Sequence, residues 1–168
     1  MAIRRQLTLF VPQKEAELIE AIRLRFNPLQ YDLIKCHMTL CREHELTDLT
    51  QIIENIRLSP LRSIRLGFGK PVRFANGKGV LLPAVSGLSA FRQLRELILK
   101  GVVKDPGEQE PHITLMHPRN ASCMDADFAF IEKAELPQTI SFSNISLIEQ
   151  SDSDPWKLLQ SFDLAADM

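Results

Sequence analysis

Apolar and polar residues alternate from Leu7 to Val11, with Leu7, Leu9 and Val11 on one side and Thr8 and Phe10 on the other, until Pro12 ends the run. This predicts a first strand. From Lys14 to Phe26 the spacing becomes helical through Leu18, Ile19, Ile22 and Phe26, and Asn27-Pro28 stops it. A loop containing Tyr31 leads to a second strand beginning near Ile34. Helical spacing returns from Thr47 to Ile56 (Leu49, Ile52, Ile53, Ile56), with Thr47 as the expected N-cap and Ser59-Pro60 as the break. Ile64, Leu66 and Phe68 alternate as a strand that continues through Val72 and Phe74 to an Asn76-Gly77 hairpin turn, with Gly79 to Ala84 returning. Phe91, Leu94, Leu97 and Ile98 predict a helix entered near Ser89 and closed at Gly101. Lys104 to Glu110, with Asp105-Pro106-Gly107, reads as an exposed loop before another strand. Phe128 to Leu136 is expected to be helical, and Ile140, Phe142, Ile145 and Leu147 to form one strand with a register slip near Asn144. Ser151 to Pro155 is a turn, and Trp156 to Leu164 the last strand.

Two of these strands carry the same residues. Cys36-His37-Met38-Thr39-Leu40 and Pro111-His112-Ile113-Thr114-Leu115 both contain His-x-Thr-Leu, with the histidines 75 positions apart. Alternate side chains of a strand share a face, so each copy offers an imidazole and a hydroxyl side by side, while Met38, Leu40, Ile113 and Leu115 point the other way. Two such pairs brought together would surround an anion. The intervals around the motifs match as well. Leu7 to His37 is 30 residues and Val80 to His112 is 32; His37 to Ile64 is 27 and His112 to Ile140 is 28. Each unit reads strand, helix, His-x-Thr strand, helix, strand. The agreement predicts an internal duplication with half-repeats at about 4–75 and 78–164, placing equivalent strands face to face across a cleft.

Composition narrows the picture. With 168 residues, 45% of them hydrophobic, the chain can build one well-packed core, and a single domain over 1–168 is expected. The formal net charge of −1 argues against an extended surface that tracks a long polyanion, though not against a small phosphate site. Three cysteines, Cys36, Cys41 and Cys123, form neither an even disulfide framework nor a Cys-x-x-Cys pair, which suits a reducing compartment. Neither a signal-peptide core nor a membrane span is expected, and cytoplasmic is the default location. Oligomeric state is not legible, and a monomer is assumed.

The doubled His-x-Thr-Leu, the opening Arg5-Gln6-Leu7-Thr8-Leu9-Phe10-Val11-Pro12 strand and the order of elements resemble the 2H phosphoesterase superfamily, most closely its bacterial 2′-5′ RNA ligase / RNA 2′,3′-cyclic phosphodiesterase branch. The resemblance runs from Arg5 to about Phe162. It implies an α+β fold of two pseudo-symmetric lobes, with antiparallel sheets flanking a central cleft and helices packed outside. It also implies His37 and His112 as catalytic histidines, Thr39 and Thr114 as phosphate-binding hydroxyls, and His112 rather than His37 as the base. Cys41-Arg42-Glu43-His44 departs from the aromatic or basic residue and glycine that often follow the first motif in bacterial relatives.

Opening a 2′,3′-cyclic phosphate requires water to lose a proton and a ribose oxygen to gain one. Histidine serves either role near neutrality, and a pair on opposite sides of the phosphorus permits in-line displacement without a metal or other cofactor. Four histidines and three cysteines raise the possibility of a metal site, yet no familiar ligand spacing is present. Arg42 and His117, each five residues past its motif histidine, and Arg119 are candidates to hold a further phosphate at the rim. Phe10, Tyr31, Phe68, Phe74 and Trp156 are candidates to stack on a base. The expected partners are RNA termini or small cyclic nucleotides. The alternative is a non-catalytic module that binds phosphorylated nucleotides or RNA ends, although binding alone would not need two acid-base groups.

Overall fold

The computed structural model describes residues 1–166. Strand β1 (Ile3–Phe10) is followed by helices α1 (Gln13–Phe26) and α2 (Pro28–Leu33), strand β2 (His37–Cys41), a single 3₁₀ turn (Glu43–Glu45), helix α3 (Leu49–Leu58) and strand β3 (Ile64–Phe68). Then come β4 (Val72–Phe74), β5 (Gly79–Ser86), α4 (Leu88–Leu99), β6 (His112–Met116), α5 (Asp125–Lys133), β7 (Thr139–Phe142), β8 (Asn144–Ser151) and β9 (Lys157–Asp163).

The strands form one sheet in the order β7-β3-β5-β6-β2-β1-β8-β9, with β4 beside β5 and every ladder antiparallel. The motif strands β2 and β6 meet at its centre. β1 flanks β2 and β5 flanks β6, while β8 pairs with β1 and β3 with β5. A strand from each half of the chain therefore completes the sheet of the other half. Leu7, Leu9, Met38, Leu40, Leu82, Ile113 and Leu115 point to one side and are buried with Ile19 and Ile22 of α1, Ile52 of α3, Phe91 and Ile98 of α4 and Ile131 of α5. Burying each such side chain favours folding by about 1.5–3 kcal/mol, which commits the apolar face to the helices and leaves the other face for chemistry.

Several local expectations change. The Tyr31 segment is helix α2, because Asn27 leaves helical geometry for one residue (φ −148°, ψ 60°) and Pro28 restarts the helix at the position proline favours. Asp48 rather than Thr47 caps α3, its carboxylate accepting from the Gln51 amide at 3.0 Å. Helix α4 begins at Leu88, preceded by Gly87 at φ +77°, where a Cβ would lie 2.3 Å from the Arg65 carbonyl; only glycine fits this close passage beside β3. The strand expected across Ile140 to Leu147 is two strands: β7 pairs with β3, and after Ser143 the chain crosses to β1 as β8.

Candidate active site

The two motif strands pair at Met38 and Ile113. Continuing that antiparallel register by one residue sets His37 opposite Thr114 and Thr39 opposite His112. All four lie on the face away from the core, where opposed side chains are typically about 4.5–5.5 Å apart at Cβ. Both strands then bulge at the same place. Leu7 pairs with Cys41 but Thr8 with Thr39, leaving Leu40 as the extra residue; Val80 pairs with Met116 but Leu81 with Thr114, leaving Leu115. The bulge turns Cys41 and Met116 into the core, so the shared face with His37 that a regular strand would give Cys41 does not form. Burial pushes the Cys41 thiol up to about 12.

Both motif imidazoles are fixed alike. His37 Nδ1 lies 2.8 Å from the Lys35 carbonyl, and His112 Nδ1 3.0 Å from the Glu110 carbonyl. A carbonyl only accepts, so Nδ1 carries the proton in each ring and Nε2 is left to act as base when bare or as acid when protonated. His117 has the opposite arrangement. Its Nδ1 accepts from the Arg119 amide at 3.1 Å, which puts the proton of the neutral ring on Nε2. His37 stands at the cleft floor, partly open to the cleft but crowded by protein elsewhere. Loss of hydration, only partly offset by the Lys35 carbonyl, and the positive charge of Arg23, His112 and His117 lower its pKa to about 4. His117 is also lowered, first by burial and then by Arg119 and Arg4.

His37, Thr39, His112 and Thr114 line a single cleft of about 490 Å³. Of the rim candidates, Arg42, His117 and Arg119 also line it. Phe10 does not: it pairs with His37 across the β1–β2 ladder and meets the imidazole edge-on, ring centroids 6.2 Å apart. Among the stacking candidates Trp156 lines the cleft, Phe68 is buried in the core, and Tyr31 and Phe74 lie off the lining. The lining includes Arg4, Arg23, Arg42 and Arg119 and no carboxylate, so a chain of net charge −1 concentrates positive charge in this cleft. Among the described residues, no three His, Cys, Asp or Glu side chains gather as a metal-holding set.

Arg23 and Gln109 are functional candidates that strand patterning does not reveal. Arg23 lies on the stripe of α1 that includes Ile19, Ile22 and Phe26, and a charge on a core-facing stripe was the available signal. It is buried, paired with Glu20, and its Nη2 donates to the Ile34 carbonyl at 2.7 Å. Gln109 donates through Nε2 to the Thr39 carbonyl at 2.7 Å and accepts at Oε1 from Arg95 Nη1 at 2.9 Å. Arg95 repeats the pattern of a buried charge within an apolar stripe, here Phe91, Leu94 and Ile98. Its guanidinium donates to both Glu45 oxygens, at 2.6 and 3.1 Å, and to the carbonyl of the bulged Leu40 at 2.5 Å. Burial acts to raise the Glu45 pKa, but Arg95 and the Arg42 amide hold it below the usual carboxylate value. On the other side, buried Asn27 accepts from the His117 amide at 2.8 Å and donates to Asn120 at 2.9 Å. The ends of both motif strands are thus pinned by side chains from other elements.

A sequence-family model for the 2′-5′ RNA ligase superfamily matches residues 10–154. The chain belongs to the 2′-5′ RNA ligase superfamily, whose members are 2H phosphoesterases. Its fold is similar to that of E. coli LigT in its apo form, with a TM-score of 0.71 at 15% identity, covering 98% of this chain and 99% of that one. LigT complexed with phosphate matches with a TM-score of 0.69 at 15% identity, covering 96% and 97%. LigT complexed with 3′-AMP matches with a TM-score of 0.69 at 14% identity, covering 96% and 98%. No curated protein sequence matches the chain. These likenesses establish the expected α+β class of antiparallel strands with helices packed outside, and they show the sheet curled into a half-barrel.

Proposed function

We propose that this superfamily member is a metal-independent phosphodiesterase that opens 2′,3′-cyclic phosphates on RNA ends or nucleotides. The observation that carries the proposal is the symmetric pair of imidazoles, each with Nδ1 tied to the carbonyl two residues before it, in one arginine-lined cleft. The LigT structures with phosphate and 3′-AMP support it, since both ligands carry a phosphate group.

In the proposed reaction a bare Nε2 takes a proton from water as the water oxygen attacks phosphorus. The second Nε2–H gives its proton to the ribose oxygen that leaves, and a phosphomonoester with a free hydroxyl results. Each transfer contributes roughly 10²–10⁴-fold. Thr39 and Thr114 donate to the non-bridging oxygens as their charge grows. The lowered pKa of His37 keeps it neutral in the free protein, which favours His37 as the base and His112 as the acid, whereas the resemblance implies the opposite assignment. With a 5′-hydroxyl in place of water, the same two histidines join RNA ends through a 2′-5′ linkage.

The test is incubation with 2′,3′-cyclic nucleotides and cyclic-phosphate-ended oligonucleotides in EDTA, following ring opening. Turnover that persists is expected. Binding without turnover would instead make the protein a nucleotide-binding module, and turnover lost in EDTA would make it a metal enzyme.

A further inference from the structure

The two motif strands are near-copies, but the strands beside them are not. On the cleft side of β1 the side chains are Arg4, Gln6 and Thr8, with Gln6 Nε2 donating to Thr8 Oγ1 at 2.9 Å. The corresponding positions of β5, opposite Thr114 and His112, are Leu81 and Pro83, which do not line the cleft. A substrate with its phosphate between the motifs therefore meets a polar strand wall over β1, where Arg4 and Gln6 line the cleft, and an apolar one over β5.

At the end of that polar row stands Trp156, half-buried and lining the cleft. The Arg4 guanidinium sits over its indole, 5.4 Å from the ring centroid. The pair is held in place from behind. Gln150, 98% buried, accepts from Arg4 through its carbonyl oxygen and donates from Nε2 to the Asp154 carbonyl at 2.8 Å, which fixes the turn leading into Trp156. The Trp156 amide donates to the Leu33 carbonyl at 2.9 Å. A flat aromatic and a flat cation already ordered in this way can accept another flat group without further loss of side-chain freedom.

We propose that the Arg4–Trp156 pair is the platform on which the substrate's nucleobase stacks, so that the cleft takes a nucleoside phosphate lying over β1 rather than β5. This rests on the cyclic-phosphate reading for its substrate class. Stacking recognises any base by its π face, so the platform selects for a nucleoside without selecting among the four bases.

Trp156 is the only tryptophan in the chain, so its fluorescence reports on this wall alone. The wild-type protein is titrated with adenosine 3′-monophosphate, ribose 3-phosphate and inorganic phosphate. Quenching that saturates with the nucleotide and is absent with the two base-free phosphates is expected. Equal quenching by all three, or none with the nucleotide, would overturn the platform. This readout needs no turnover, so a failure of the catalytic reading does not obscure it. Where turnover is found, Trp156→Ala should lower the preference for a cyclic nucleotide over glycerol 1,2-cyclic phosphate about 10-fold, in the range measured for losing one stacked base. An unchanged preference would also contradict the proposal.

Discussion

Met38 of β2 pairs directly with Ile113 of β6, and this one contact sets the register of both motifs. Both side chains are fully buried, so the residues before and after each must face the cleft. A one-residue slip would send His37 and His112 into the core, which is why the pairing is strongly specified.

The depressed pKa of His37 makes two pH predictions. The acid limb of kcat/KM, which reports the free protein, should fall well below the ordinary imidazole value of about 6.5, toward pH 4, with the limbs belonging to the coupled pair. Folding stability should also decline as pH falls from about 6.5 through 4, because across that window the unfolded chain binds the proton and the native His37 does not. Urea denaturation of wild type and His37→Asn at several pH values checks the second prediction. The variant should lose less stability over the window; equal losses would contradict the low pKa.

Glu45 and Arg95 form a buried ion pair that also supports the Leu40 carbonyl and Gln109. Glu45→Ala leaves the guanidinium buried without its carboxylate and should cost about 3–5 kcal/mol in urea denaturation. Gln109→Ala removes the link between this pair and the Thr39 carbonyl, and should lower kcat more than it raises KM.

Much of the site was legible in the sequence because period-2 alternation and the doubled motif are local signals. His37, Thr39, His112 and Thr114 needed only their strands. The supporting shell was not legible in the same way: Arg23 reaches the cleft, and Arg95 the back of the first motif strand, through tertiary packing of helices whose apolar stripes they interrupt, and Gln109 acts from a loop without periodicity. Helix α2 was hidden because Asn27-Pro28 signals a stop, and the same proline also suits a start. The division of β7 from β8 depended on which distant strands they join.

Cys36, Cys41 and Cys123 are all buried, and burial raises the pKa of each thiol. A thiol-reactive disulfide reagent should therefore find no cysteine in the folded protein and all three in denaturant. Rapid reaction of one thiol under native conditions would show that its strand or turn opens.

The central claim is that His37 and His112 are the two proton carriers for one cyclic phosphate. Its most direct test is the rate of ring opening of a 2′,3′-cyclic nucleotide in EDTA by wild type, His37→Ala and His112→Ala, with circular dichroism to verify that each variant is folded. A loss of at least about 100-fold in each folded variant is predicted. Near wild-type turnover by either one would contradict the two-histidine mechanism.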